Sequence, residues 1–298
     1  MKNRTDNIIE IRNLKCKYEK NRYPILEIDE LSIKRGDLVF FIGPSGVGKS
    51  TILETLGLMN NTMYKPDENA TIFDFISVNN KEDIINLWSK NETEIAAFRR
   101  KRLSFIFQNT NLFGSISPLD NVSLAPILQG YSRKDAVNRT KGIIEGLFNE
   151  EEIKELKGKK IQELSGGQRQ RIAFARAVAS DYQILFADEP TGNLDVFNAK
   201  KLMSFLKKKL ENEKNENLKT AVFVTHDIDL SIKYASKIVF INKKMRNGPK
   251  KDAYGYINNN SVFLNKGGDK WGNQGKFFSN VDLKIMIENL FKKSLENE

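Results

Sequence analysis

Val39-Phe40-Phe41-Ile42-Gly43-Pro44-Ser45-Gly46-Val47-Gly48-Lys49-Ser50-Thr51 is the stretch from which the rest of the chain is read. It opens as an apolar run of strand type from Leu38 to Ile42, turns through Gly43, Gly46 and Gly48, and passes into a segment with helical spacing. That is the strand, glycine-rich loop and helix order that a phosphate-binding loop requires. Glycine lacks a Cβ, so such a loop curls until successive backbone N–H groups point inward at phosphate oxygens, and the following helix presents its positive end. Lys49 adds a point charge for β- and γ-phosphates, and Ser50 adds a hydroxyl able to ligate Mg²⁺. The pattern alone occurs by chance in ordinary loops; its strand-to-helix setting favours a nucleoside triphosphate site.

Composition sets the bounds. At 298 residues and 40% hydrophobic content the chain holds enough apolar mass for one large domain or two ordinary ones. The apolar stretches are strand-sized and none approaches a membrane span. No apolar run follows the opening M-K-N-R-T-D-N, so a cytosolic location is expected. The one cysteine, Cys16, fits a reducing compartment and reads as a small half-buried side chain in a strand. Formal charge is 48 − 38 = +10, with clusters at Arg99 to Arg102, Lys157 to Lys160 and Lys207 to Lys209. A surplus of that size favours polyanionic partners, although abundant Lys and Asn also make an ordinary solvated surface.

Upstream of the loop, Ile8 to Tyr18 and Ile25 to Ile33 read as strands of a small antiparallel layer joined through N-R-Y-P. Tyr18, at the end of the first, and its competitor Tyr23 are candidates to stack on a purine. Downstream, Ile52, Leu53, Leu56 and Met59 give the helix an apolar face. Lys65 to Lys90 is polar and asparagine-rich and yields no assignment. Leu103 to Gln108 is a short strand whose terminal glutamine suits a metal or a water beside a γ-phosphate. Helices are expected after Ser117 or Asp120 and after Ser132, the latter with Asp135 in its cap. They form an arm between the two halves of a nucleotide site, a place where partners bind.

L-S-G-G-Q-R-Q-R, Leu164 to Arg171, is a second phosphate-reading device: Ser165 caps a helix, and Gly166 and Gly167 let backbone approach an anion at its N-terminus. A chain with two such ends suggests a nucleotide shared between two molecules. Gln183 to Ala187 is a buried-type strand ending in Asp188-Glu189-Pro190. Asp188 is placed to hold Mg²⁺ through water and Glu189 to polarise the attacking water. Thr191 to Asp195 forms a loop before a basic amphipathic helix, Asn198 to Leu210. Ala221 to Val224 is another core strand, and His226, the sole histidine, follows it where it would donate to a γ-phosphate oxygen. Lys237 to Asn242 closes the sheet. In the tail, Ala253 to Ile257 and Ser261 to Leu264 are expected to form a hairpin. Val281 to Leu295 reads as a terminal helix with Leu283, Ile287, Leu290 and Phe291 on one face. Aromatics interleaved with lysines there suit either nucleic acid or docking on the body of the protein.

From about Ile8 to Ile241 the chain resembles an ATP-binding-cassette ATPase subunit. G-P-S-G-V-G-K-S-T is similar to the Walker A loop and I-L-F-A-D-E to Walker B. Gln108 matches the Q-loop, L-S-G-G-Q the signature, Asn193-Leu194-Asp195 the D-loop and His226 the switch histidine. The resemblance implies an α/β fold: a P-loop, RecA-like core with an N-terminal antiparallel β subdomain and an inserted α-helical subdomain at about 98–163. The cassette would occupy 1–245 and an extension 246–298. It further implies ATP and Mg²⁺ as cofactors. Gly43, Pro44, Ser45, Gly46, Val47, Gly48, Lys49, Ser50, Thr51 and Tyr18 would bind the nucleotide of one copy. Ser165, Gly166, Gly167, Gln168 and Asp195 would meet that of a second copy. Ser50, Gln108 and Asp188 would serve the metal, and Glu189, His226 and Gln108 the hydrolysis.

A-D-E-P-T-G-N-L-D with L-S-G-G-Q-R-Q-R resembles the subgroup of lipoprotein-releasing, macrolide-export and FtsE-type complexes, whose members work with FtsX- or MacB-like membrane proteins. S-P-L-D-N-V-S-L resembles the segment they present to that partner. No specific nucleic acid is expected, and the protein would sit on the inner face of the membrane through its partner. The alternatives are a soluble cassette ATPase acting on DNA or ribosomes, or an ATP-gated subunit of low turnover. Two departures stand out: a longer insert at 65–90, and no aspartate-glycine hairpin after Lys244.

Overall fold

A computed structural model of the chain describes residues 6–65, 67, 70–77, 80–211, 218–246 and 252–296. The chain divides into two compact units, 1–95 with 222–298 and 96–221. The expected tail residues Asn247 to Lys251 and part of the insert fall outside the described residues.

The first unit begins with β1 (Asn7–Cys16) and β2 (Leu26–Lys34), antiparallel, with Ile11 opposite Leu31 and Leu14 opposite Ile28. Inward residues are Ile9 and Ile11, then Leu14 and Cys16 on β1, and Leu26 and Ile28, then Leu31 and Ile33 on β2. Both strands change phase at the same level, where Asn13 takes a left-handed backbone with φ 52° and Asp29 and Glu30 face solvent. This is why the alternation in the sequence is only partial. β3 (Leu38–Ile42) follows and is buried throughout, as a strand covered on both faces must be. α1 (Lys49–Leu56) leaves the phosphate loop and buries Ile52, Leu53 and Leu56.

The unassigned insert contains β4 (Ile72–Ile76), β5 (Lys81–Asp83) and the short α2 (Ile84–Leu87). β4 pairs with β1, setting Phe73 opposite Ile11 and Phe75 opposite Ile9. Phe73 and Phe75 are thus carried on one strand, and Asp74 between them is ion-paired to Lys81 at 2.7 Å.

α3 (Glu92–Arg102) leads into β6 (Leu103–Ile106), then α4 (Pro118–Leu128), α5 (Arg133–Leu147), α6 (Glu150–Gly158) and α7 (Gly166–Ala179). Ser117 caps α4 and Ser132 caps α5, each accepting from the backbone three residues on. α6 was not anticipated, although Asn149 and Glu152 make a full capping box at its start. The Arg171 guanidinium, 7% exposed, ties these helices together: it donates to Glu152 at 2.7 Å and to the Leu147 carbonyl at 3.2 Å, and it lies over the Phe148 ring. β7 (Ile184–Asp188) runs parallel to β6, with Ser104 opposite Leu185. α8 (Val196–Glu211) starts two residues earlier than its apolar spacing suggested, because Asp195 caps it through the Asn198 amide at 2.9 Å.

The chain re-enters the first unit along β8 (Thr220–Val224), followed by α9 (Ile228–Tyr234), β9 (Lys237–Phe240) and β10 (Asn242–Met245). β11 (Ala253–Ile257), β12 (Val262–Asn265), β13 (Trp271–Asn273), β14 (Lys276–Phe278) and α10 (Asn280–Glu296) complete it. One sheet of this unit has the order β10-β11-β2-β1-β4-β5, and the strands of the other run β14-β13-β12-β9-β3-β8.

Two expectations for the tail change. β10, which contains Lys244, pairs antiparallel with β11, with Lys243 opposite Gly255. β11 and β12 do not form the expected hairpin. β11 pairs with β10 and β2, while β12 pairs with β9 and β13, because the Asn258–Ser261 capped turn sends them to different sheets. α10 packs on α9 of its own unit, with Phe291 edge-on to Phe240 at 5.4 Å and Lys284 bonded to Asp229 at 2.7 Å. Among the described residues no helix is long and apolar enough to cross a membrane.

Two tests follow from the packing. A Cβ on Gly255 would overlap the Val47 carbonyl oxygen of the phosphate loop, so Gly255→Val is expected to cost about 1–3 kcal/mol by overpacking, read as a lowered midpoint in urea unfolding. Cys16 is fully buried beside Thr55 and Thr62, and burial pushes its thiol from 9.0 to about 11. The native thiol stays protonated where the unfolded one ionises, so stability should fall as pH rises from 9 to 11, by about 2–3 kcal/mol at most. Cys16→Ala should flatten that part of the pH–stability curve.

Candidate functional site

In the first unit the buried β3 delivers the chain to a turn in which Gly46 (φ 76°) and Gly48 (φ 90°) are left-handed. Side chains with a Cβ are disfavoured in that backbone, so the glycines set the curl of the loop. Gly48 is the N-cap of α1 and, having no side chain, leaves the first-turn amides without a side-chain cap. Those amides and the helix dipole point at the concave side of the loop. The Lys49 ammonium closes over it, donating to the carbonyls of Gly43 at 2.8 Å and Pro44 at 2.6 Å. Ser45, Gly46 and Ser50 are exposed, whereas Gly43, Pro44, Val47 and Thr51 are buried. The exposed positions therefore line the concave face of a candidate anion site, and the buried ones hold its shape.

Tyr18 stands at the edge of this site. Its hydroxyl donates to Glu54 at 2.6 Å and contacts Thr51 at 3.4 Å, which fastens the half-buried ring to α1. Burial first, then the Glu54 carboxylate, push that phenol up to about 12, so it remains a neutral donor. Tyr23 is 43% exposed and stacks instead with Arg22 and Arg246. At the end of β8, the Thr225 amide donates to the Phe41 carbonyl at 3.2 Å, so His226 emerges exposed at the same strand-end edge as Gly43.

The second unit carries the remaining residues. Gln108 lies exposed in a turn closed by Thr110 N–H to the Phe107 carbonyl at 3.0 Å, two residues beyond β6 rather than at its last position. Ser165 and Gln168 form a reciprocal capping box on α7, with bonds of 3.1 and 3.0 Å. Gln168 is thereby held as part of the cap. Asp188 is the last residue of β7, and Glu189 after it is a non-glycine in the left-handed region with φ 46°. Both are half-buried. Strain of that kind on a strand-end acid marks a position fixed by its surroundings.

Gln170, fully buried, sets its amide nitrogen 3.5 Å from the Glu189 carbonyl. Asn193 and Leu194 rest on the start of α7, within 3.4 to 3.5 Å of where a Gly167 side chain would begin. Asp195 is committed to the α8 cap, and its hydrogen bonds from Asn198 hold its carboxyl below the usual range.

Sequence reasoning missed three contributors. Glu54 fastens Tyr18, Gln170 supports Glu189, and Gly255 backs Val47. Only Gln170 left a trace in the sequence, as a glutamine on the same face of α7 as the buried Ala173, Phe174 and Ala177. The other two act across long sequence separations.

The ABC transporter family model matches residues 26–192. The ABC transporter ATP-binding protein MJ0796 of Methanocaldococcus jannaschii is 35% identical over 236 residues, covering 78% of this chain and 93% of that one. The lipoprotein-releasing system ATP-binding protein LolD of Aquifex aeolicus is 37% identical over 209 residues, 70% of this chain and 84% of its own. The macrolide export ATP-binding/permease protein MacB of Neisseria meningitidis is 36% identical over 228 residues, and there the match spans 32% of the relative. The solved dimeric, post-hydrolysis MJ0796 cassette bound to ADP and Pi superimposes with a TM-score of 0.63 at 31% identity, over 78% of this chain and 93% of that one. The family match spans β2, the phosphate loop, the Ser165 helix start and the Asp188–Glu189 strand end, and the chain belongs to the ATP-binding, ATP-hydrolysing subunits of ABC transporters.

Proposed function

We propose that two copies of this chain close on two ATP molecules, the phosphate loop of each facing the Ser165–Gln168 helix start of the other, and that the cycle of closure and hydrolysis drives a transmembrane partner. The observation that carries this reading is the presence of two helix N-termini suited to phosphate in one chain. One, at Lys49, lacks a side-chain cap; the other, at Gly166, is fixed by the Ser165–Gln168 capping box, which bonds the Gln168 amide and leaves Gly166 and Gly167 without side chains at the helix start. In this reading Gly43 to Thr51 cradle the phosphates of one nucleotide. Ser165, Gly166, Gly167 and Gln168 meet the γ-phosphate held by the second copy, and Asp195 lies beside the junction.

Glu189 polarises the attacking water, and His226 donates to the γ-phosphate. Mg²⁺ would neutralise phosphate charge. Among the described residues no three acidic, histidine or cysteine side chains cluster into a metal cage. That suits a hard cation held mainly by phosphate oxygens, with the oxygen donors Ser50, Gln108 and Asp188 supplementing them. Residues 1–245 would be the cassette, about 98–163 the arm that meets the partner, and 246–298 an extension of the body. The similarity to LolD and MacB supports a FtsX- or MacB-like membrane partner and a place on the inner face of the membrane.

Glu189→Gln should retain ATP binding, lower turnover by about 10²–10⁴-fold, and accumulate as an ATP-bound dimer in analytical ultracentrifugation. Normal turnover by that variant would remove Glu189 from the chemistry. For the base platform, Tyr18→Ala should weaken ATP binding by about tenfold or more, the usual effect of losing one base–aromatic stack, while Tyr23→Ala should leave it unchanged in isothermal titration calorimetry.

A further inference from the structure

Among the described residues the most exposed large apolar side chains are Phe197, at 74%, and Val196, at 70%. They are adjacent, and they are the first two residues of α8. Isolated apolar side chains on a surface are ordinary. This pair differs in two ways. It is rigidly presented, because the Asp195 cap fixes the helix start through both the Asn198 amide at 2.9 Å and the Asn198 side chain at 2.6 Å. It is also continuous with Asn193 and Leu194, which rest on the Gly166–Gly167 start of α7. Signature, D-loop and the Val196–Phe197 step therefore belong to one stretch of surface within one unit.

We propose that Val196 and Phe197 are an apolar anchor for a second copy of this chain, engaged when the two copies close on ATP. The inference rests on the dimer reading above and extends it from the phosphate contacts to a water-excluding contact outside them. The occupant follows from continuity: whatever meets the Ser165–Gln168 helix start also comes down beside Asn193 and the α8 start. A two-fold arrangement presents the pair twice, so each substitution counts twice. An aromatic desolvated in such a contact is among the residue types that contribute most to association energies. The anchor also gives the closed dimer a contribution insensitive to salt, which the surrounding charges do not supply.

The test uses the full chain in the Glu189→Gln background with ATP and Mg²⁺, measuring the dimer dissociation constant by sedimentation equilibrium at low and high salt. Phe197→Ser is an exposed change and should leave the unfolding midpoint and ATP binding unaltered, yet weaken the dimer by about tenfold or more. Phe197→Leu should restore most of the loss, and Val196→Ser should add to it. An equally tight dimer with Phe197→Ser would overturn the anchor and leave the sandwich standing. A Glu189→Gln chain that stays monomeric when saturated with ATP would remove the sandwich itself, and the anchor with it.

Discussion

The proposed phosphate site depends on a helix end without a side-chain cap. Among the described residues most helices open with a side chain that accepts from their first turn, as Ser117, Ser132, Asn149 and Asp227 do. α1 opens with Gly48, whose left-handed backbone turns the loop and whose missing side chain puts no cap on the first turn. The surrounding elements maintain that arrangement. β3 is buried on both faces so that the loop starts from a fixed point. Pro44 and Val47 are buried to hold its curve, and Gly255 from the tail lies against the Val47 carbonyl.

α7 reaches a related outcome by the opposite device. Its start is closed by a reciprocal box in which Ser165 and Gln168 satisfy each other's backbone. Gly166 and Gly167 then expose backbone without losing position. The box fixes a rigid, neutral surface, whereas the α1 loop carries a charged Lys49 directed inward. In the proposed closure a nucleotide would meet strong electrostatic attraction from the α1 loop of one copy and a shaped, weaker complement from the α7 start of the other, a division that suits reversible closure. Glu189, in a strained backbone at the end of β7 and supported by Gln170, belongs to the same unit as that box.

The tail is part of the body of its unit. β11 adds a parallel neighbour to β2, and β12 to β14 extend the sheet that contains β3. Trp271 is fully buried with its indole N–H on Asn280 at 2.8 Å, and α10 covers α9. The β11–β2 pairing joins residues more than two hundred positions apart, as Lys237 with Ser32 and Arg246 with Glu27 also do. The packing behind the phosphate loop is consequently built from both ends of the chain.

The local chemistry was legible in the sequence: glycines where φ is positive, Ser132 and Ser165 as caps, Ser117 as one of two candidates for a third, the apolar run into Gly43, and acids following Ile184 to Ala187. Each is set by steric or hydrogen-bonding demands that act within a few residues, so the residue type records them. The insert was opaque because Phe73 and Phe75 become a strand only by pairing with Ile11 and Ile9. The tail strands were paired wrongly because spacing cannot tell which of two sheets completes an edge. Likewise, nothing in the sequence ties Glu54 to Tyr18 or Gly255 to Val47. Sequence by itself determined the family, the phosphate loop and the caps, since those follow from backbone conformation. Tertiary structure alone decided strand partners and the supports behind the site, since those depend on which distant surfaces exclude water together.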